Sequence, residues 1–141
     1  ADLRLLLQKV KDQWLMTGNA IRIGEPNSPI SNLHAGGKGV LSGPFLKNRF
    51  GRNKSGKILE ECTELASEIA KAMEHSYGSL IELGFDIGVD ISGRVGLIEV
   101  NTMPERNILR TTGQTEAFTL SYRRPMEHAI HLAQRKHPFT V

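Results

Sequence analysis

Leu80-Ile81-Glu82-Leu83-Gly84-Phe85-Asp86-Ile87-Gly88-Val89-Asp90-Ile91, then Ser92-Gly93, then Arg94-Val95-Gly96-Leu97-Ile98-Glu99-Val100 is the stretch that decides the fold. Two runs of β-branched, aromatic and aliphatic residues flank a Ser-Gly pair, which predicts two antiparallel strands joined by a tight turn. Side chains alternate along a strand, so Glu82, Gly84, Asp86, Gly88 and Asp90 share one side and Phe85, Ile87 and Val89 the other. Glu99 and Asn101 are two apart on the second strand and point the same way. Asp86 lies on the strand opposite, so all three can meet on one face. Two carboxylates and an amide oxygen are hard donors of the kind Mg²⁺ accepts, with nucleotide phosphates and water completing the octahedron, and Mn²⁺ takes similar ligands. A half-exposed hairpin with its acidic face in water accounts for the spacing equally well.

Upstream, residues 3–10 and 14–23 are again strand-like, and the polar Lys11-Asp12-Gln13 between them is short enough for a second hairpin. Simple alternation puts Arg22 on one side with Trp14, Met16, Gly18 and Ala20, a placement that suits a charged group aimed at a ligand or an arginine on an open sheet face. Residues 24–29 carry turn chemistry. The following Ser31-Asn32-Leu33-His34-Ala35-Gly36-Gly37-Lys38-Gly39 has three glycines that let the backbone approach a ligand and offer N–H groups to an anion. It matches neither the Walker nor the dinucleotide fingerprint, and His34 by itself reads as an ordinary histidine.

From residue 55 to about 76 the period changes. Ile58, Cys62, Leu65, Ile69 and Met73 recur at steps of three and four, opposite Lys57, Glu60, Glu61, Glu64, Glu68 and Lys71, which predicts an amphipathic helix capped by Ser55 and ended near Gly78. A last helix over 115–136 places Phe118, Tyr122, Met126, Ala129, Ile130 and Ala133 on one face, with Pro125 expected to kink or divide it. The order strand-strand-helix-strand-strand-helix predicts an α+β fold, an antiparallel β-sheet backed by helices, over a single domain of 141 residues.

Composition narrows the function classes. The chain is 39% apolar and 23% charged, which excludes a disordered tail or a collagen-like fibre. Its one cysteine cannot form an internal disulfide, and Cys62, inside a helical pattern, reads as a small core residue. No apolar run is long enough for a membrane span, and the start has no signal-peptide layout, so a cytoplasmic location is expected. A net charge of +3 with dispersed basic residues argues against nucleic acid as a partner. The one dense cluster, Lys47, Arg49, Arg52, Lys54 and Lys57, lies in a Gly/Asn/Ser-rich stretch and reads as a solvated loop.

Taken together, Gly84-Phe85-Asp86-Ile87-Gly88-Val89-Asp90 and Leu97-Ile98-Glu99-Val100-Asn101-Thr102-Met103-Pro104 resemble the second magnesium-binding half of an ATP-grasp ligase. There an aspartate is followed about a dozen residues later by Glu-x-Asn and a proline. Asp2-Leu3-Arg4, Ala20-Ile21-Arg22 and Ser31-Asn32-Leu33-His34-Ala35-Gly36-Gly37 are similar to the Asp-x-Arg, Arg and Asn-Leu-x-x-Gly-Gly series of the amino-acid ligase branch, which includes the ribosomal-protein glutamate ligases. The wording of the whole chain resembles most the endospore coat-associated ATP-grasp proteins of spore-forming bacteria.

The resemblance implies an ATP- and Mg²⁺-dependent ligase joining a carboxylate to an amine or thiol through an acyl phosphate. It implies Asp86, Glu99 and Asn101 as metal ligands, Arg22 and Asn32 as catalytic groups, and Arg22, Gly36, Gly37 and Glu99 as the ATP contacts. Partners are then ATP, a carboxylate substrate and an N-terminal lobe of the same protein that carries the adenine-facing residues. With that lobe absent the fragment itself is expected to be inactive, and dimer formation stays open. The alternative is a degenerate, non-catalytic ATP-grasp module with a structural or interaction role in a spore coat. One departure stands out: many family members have Gly after the proline of the Glu-x-Asn motif, whereas Glu105 stands here.

Overall fold

The computed structural model describes residues 1–24 and 38–136. Asn32, His34, Gly36 and Gly37 lie outside the described residues. The elements run β1 (Asp2–Val10), β2 (Gln13–Ile23), β3 (Lys38–Val40), α1 (Ser42–Phe50), α2 (Arg52–Tyr77), β4 (Glu82–Val89), β5 (Val95–Asn101), α3 (Asn107–Thr111) and α4 (Thr115–Lys136). The fold is α+β, as expected. The described strands form one antiparallel sheet in the order β3-β2-β1-β4-β5, which puts β1 at the centre.

The first hairpin closes through Lys11 and Asp12, both at positive φ (48° and 68°), the left-handed pair whose twist suits a two-residue connection. The second turns through Asp90, whose carboxylate accepts from the Ser92 and Arg94 backbone N–H groups and the Ser92 hydroxyl. Gly93 supplies the positive φ of 86°.

One face of the sheet is the main core. Leu3, Leu5, Leu7, Ile21, Leu83, Phe85, Ile87 and Val89 pack against Leu46 of α1 and against Ile58, Cys62, Ala66 and Ala70 of α2. The α2 stripe repeats every fourth residue, and its small side chains let the helix lie close to the strands. Burying a Leu or Phe here contributes about 1.5–3 kcal/mol each. A smaller core on the other face joins Leu6 and Ala20 to Ile108 and Leu109 of α3, with Ala117 and Phe118 of α4 packed against it.

Several expectations need correction. A bulge between Leu6 and Leu7 pairs them with Gly18 and Met16 and leaves Thr17 as the extra residue. Trp14 and Met16 consequently pack on the main core, while Gly18, Ala20 and Arg22 face the other way. Helix α2 starts at Arg52, not Ser55, after Gly51 at φ 82°. The basic cluster is not a loop, since Lys47 and Arg49 end α1 and Arg52, Lys54 and Lys57 begin α2. Helix α4 has the expected bounds and runs through Pro125 as one element. Its buried residues are Ser121 and His128, whereas Tyr122, Met126 and Ile130 are each more than half exposed. The short β3 and α3 carry no strong pattern in sequence.

Candidate functional site

Helices α3 and α4 cover only part of the second sheet face, and the remainder, near the start of β1, carries charged side chains. The register sets Arg4 against Asp86 across β1 and β4, Asp2 against Arg22 across β1 and β2, and Asp86 against Glu99 across β4 and β5. Asn101 lies opposite Gly84. A second bulge, between Asp86 and Ile87, leaves Ile98 unpaired, so that Leu97 faces Ile87 while Glu99 stays on the Asp86 side. The three predicted metal ligands therefore occupy one face, and Arg22 is with them.

Asp86 is 6% exposed and is held from two sides. Arg4 donates Nε–H to Oδ1 and Nη2–H to Oδ2, the latter at 3.0 Å. Arg22 Nη2 donates to Asp86 Oδ2 at 2.7 Å and to Asp2 Oδ2 at 2.8 Å. The result is an alternating array of two carboxylates and two guanidiniums with little water. Burial alone would lower the Arg4 pKa, but the hydrogen bonds and charge of Asp86, with smaller contributions from Asp2 and Glu105, raise it above the ordinary arginine value. Glu105, the residue that departs from the family pattern, thus adds negative charge beside Arg4. Arg22 keeps one buried donor, Nε, without a hydrogen-bond partner among the described residues.

Glu99 and Asn101 lie at the exposed edge of the array. The Asn101 Oδ1 accepts the Met103 backbone N–H at 2.8 Å, which orients the amide. After it the chain is clamped. Pro104 is buried against Gly84, and Arg106 donates to the Pro104 carbonyl at 3.2 Å, the Ser121 carbonyl at 3.1 Å and the Glu82 carboxylate. Its guanidinium also lies over the Tyr122 ring, 5.0 Å from the centroid. Gln8, fully buried, ties the same point together by donating to Glu82 and Ser121 and accepting from Thr17. Sequence reasoning gave no role to Arg4, Glu82 or Arg106. The contacts of Arg4 with Asp86 and of Gln8 with Glu82 need the adjacency of β1 and β4, whose residues are some eighty positions apart, and Arg106 reaches Glu82 from the segment after β5.

Among the described residues no three His, Cys, Asp or Glu side chains converge as a metal cage. The oxygens available are those of Glu99 and Asn101, with Asp86 shared between two arginines. Such a partial set of hard donors fits a hard cation that draws its other ligands from phosphate and water.

A central antiparallel sheet with helices on both faces, an Asp and a Glu-x-Asn on adjoining strands, and arginines meeting the aspartate define an ATP-grasp domain. The chain belongs to the YheC/D-like ATP-grasp family, whose model matches residues 1–132. It is similar to endospore coat-associated protein YheD of Bacillus subtilis (strain 168), 29% identical over 136 residues that cover 96% of this chain and 30% of that protein. It is also similar to endospore coat-associated protein YheC of the same organism, 27% identical over 113 residues, 79% of this chain and 31% of that one. The chain thus spans about a third of the length of these curated relatives. No solved structure gives a significant match. Among the described residues, no helix is long and apolar enough to cross a membrane.

Proposed function

We propose that this chain is the metal- and phosphate-facing part of an ATP-dependent ligase that joins a carboxylate to an amine or thiol through an acyl phosphate. The observation that carries the reading is the Asp86–Glu99 pairing across β4 and β5, with Arg22 bound to the same aspartate. Asp86, Glu99 and Asn101 would hold Mg²⁺ or Mn²⁺, and a cation bound there supplies charge neutralisation to the triphosphate. The family resemblance also assigns Glu99 a contact with ATP.

Arg22 serves the anion. Its guanidinium is fixed by Asp2 and Asp86, so its planar donors are oriented before the transferring phosphoryl or acyl-phosphate oxygens arrive, and no reorganisation is needed as charge develops. Arg4 holds Asp86 from the far side and so sets the position of the carboxylate. Attack by the substrate carboxylate on the γ-phosphate breaks the bond to ADP, and the amine then displaces phosphate from the acyl group. No protein nucleophile takes part. Asn32, Gly36 and Gly37 complete the site on the strength of the family resemblance, as additional donors near the γ-phosphate and acceptor.

The names of the relatives support a spore-associated setting for the whole protein. Adenine contacts are expected from an N-terminal lobe of the same protein. The test is calorimetry and turnover: full-length protein should bind Mg-ATP and release phosphate when given a carboxylate and an amine. Failure of the intact protein to bind Mg-ATP rejects the reading.

A further inference from the structure

Beside the charged array, at the end of β2, lies a hollow of about 370 Å³, large enough for a small ligand. Arg22 and Arg49 both line it, with Ile23 and Phe45 as apolar wall. Its carboxylate, Asp2, is already bound to Arg22. Arg49 comes from α1, a helix with no strong signature in the sequence, and is exposed without an ion pair among the described residues. The Arg22 guanidinium is mostly buried, and its Nε has no hydrogen-bond partner among the described residues.

Two arginines and two apolar residues bordering one hollow match a particular ligand chemistry. A guanidinium recognises a carboxylate through paired N–H donors. Aliphatic wall suits methylenes, and the acidic side of the site, with Asp86, Glu99 and Glu105, repels a second anion. A ligand with two acidic groups on a short aliphatic spacer would therefore place its second carboxylate at Arg49, away from that side.

We propose that the hollow binds a dicarboxylic substrate, one acid group at Arg22 and the other anchored by Arg49. This rests on the reading of Arg22 as the group beside the reacting carboxylate, and it adds the substrate class. Arg49 is then a specificity-determining residue that no motif marks.

The test uses the ¹⁵N-labelled chain, following arginine Nε–H signals by NMR during titration with glutarate and, separately, butyrate. Glutarate should bind at least about tenfold more tightly and should shift the signals of Arg22 and Arg49 together. Arg49→Gln should abolish that ratio with butyrate affinity unchanged, while Lys47→Gln, on the same helix but outside the hollow, should preserve it. Equal affinities in the native chain, or a ratio that survives Arg49→Gln, overturns the proposal. Paramagnetic broadening by Mn²⁺ around Asp86, Glu99 and Asn101 is read in the same samples. Broadening there with equal glutarate and butyrate affinities rejects the hollow and leaves the ligase reading standing. No broadening with a ratio lost in Arg49→Gln rejects the metal assignment and supports the hollow.

Discussion

Pro104 rests directly on Gly84: a Cβ built on residue 84 would come 2.8 Å from the Pro104 Cβ and 3.5 Å from its Cα. The strand that carries Asp86 and the segment that follows Asn101 are thus fitted to one another at a point where no side chain has room. Gly84→Ala should cost about 1–3 kcal/mol through overpacking and should displace the segment after Asn101. At Gly96 on β5 an added Cβ meets nothing within 4 Å, so Gly96→Ala should leave stability nearly unchanged. Urea unfolding of both variants checks the contrast, and equal losses would show that Pro104 yields freely.

Asp86 and Glu99 face each other on paired strands yet should respond differently to loss of charge. Asp86→Asn leaves Arg4 and Arg22 largely buried without their shared partner, so a loss of about 3 kcal/mol in unfolding free energy is expected. Exposed Glu99 should tolerate Gln with little change in stability, while activity of the full-length protein disappears. A Glu99→Gln enzyme with normal turnover would remove that carboxylate from the mechanism.

His128 should make stability depend on pH. It is buried in α4 with Nδ1 unpartnered among the described residues. Burial lowers its pKa, the charge of Asp12 opposes the shift, His131 and Lys9 lower it further, and Glu74 works against them. The unfolded chain therefore takes the proton first, near the ordinary imidazole value of about 6.5. The contribution is complete above that pH and is lost as pH falls through the lower folded value. Urea midpoints at pH 7.5 and 5.5 should differ, and the difference should shrink in His128→Gln. An undiminished slope in that variant would assign the pH dependence to other groups.

Cys62 should be chemically silent in the native protein. Its side chain is fully buried against the sheet, and desolvation pushes the thiol up to about 11. A thiol reagent at pH 8 should modify it only as fast as the chain opens, and at once in denaturant. Rapid labelling of the native state would place a solvent path to α2 that the packing does not provide.

The parts of this fold that rest on local pattern are legible in the residues. The Ser92-Gly93 hairpin follows from alternation and turn chemistry, α4 from its apolar recurrence, and most of α2 from apolar residues at steps of three and four, although the buried stripe proves to be Ile58, Cys62, Ala66 and Ala70. What escapes is set by pairing across the sheet. A bulge at Thr17 reverses the facing of Trp14 and Met16 relative to Arg22, and nothing in simple alternation announces it. The exposed Tyr122, Met126 and Ile130 are misleading in the other direction: α4 is turned by the network of Gln8, Glu82, Arg106 and Ser121, so polar residues occupy its inner side. Around Asp86, the strand register sets Glu99 opposite it and Asn101 on the same face, and Arg22 reaches it from β2. Arg4 as the second hand on Asp86 requires knowing that β1 lies beside β4.

That same seam bears on how the chain reaches its native state. Each hairpin closes locally, a microsecond event, whereas joining them requires β1 to find β4 across a loop that contains α1 and α2. Closure of so long a loop is entropically costly before its contacts form, so this step should govern the folding rate. Arg4 and Asp86 sit on opposite sides of that seam. Each hairpin therefore carries only half of the anion-facing apparatus, Asp2 with Arg22 in the first and Asp86 with Glu99 in the second, and the contacts of Arg4 and Arg22 with Asp86 come into being in the same cooperative event that completes the sheet.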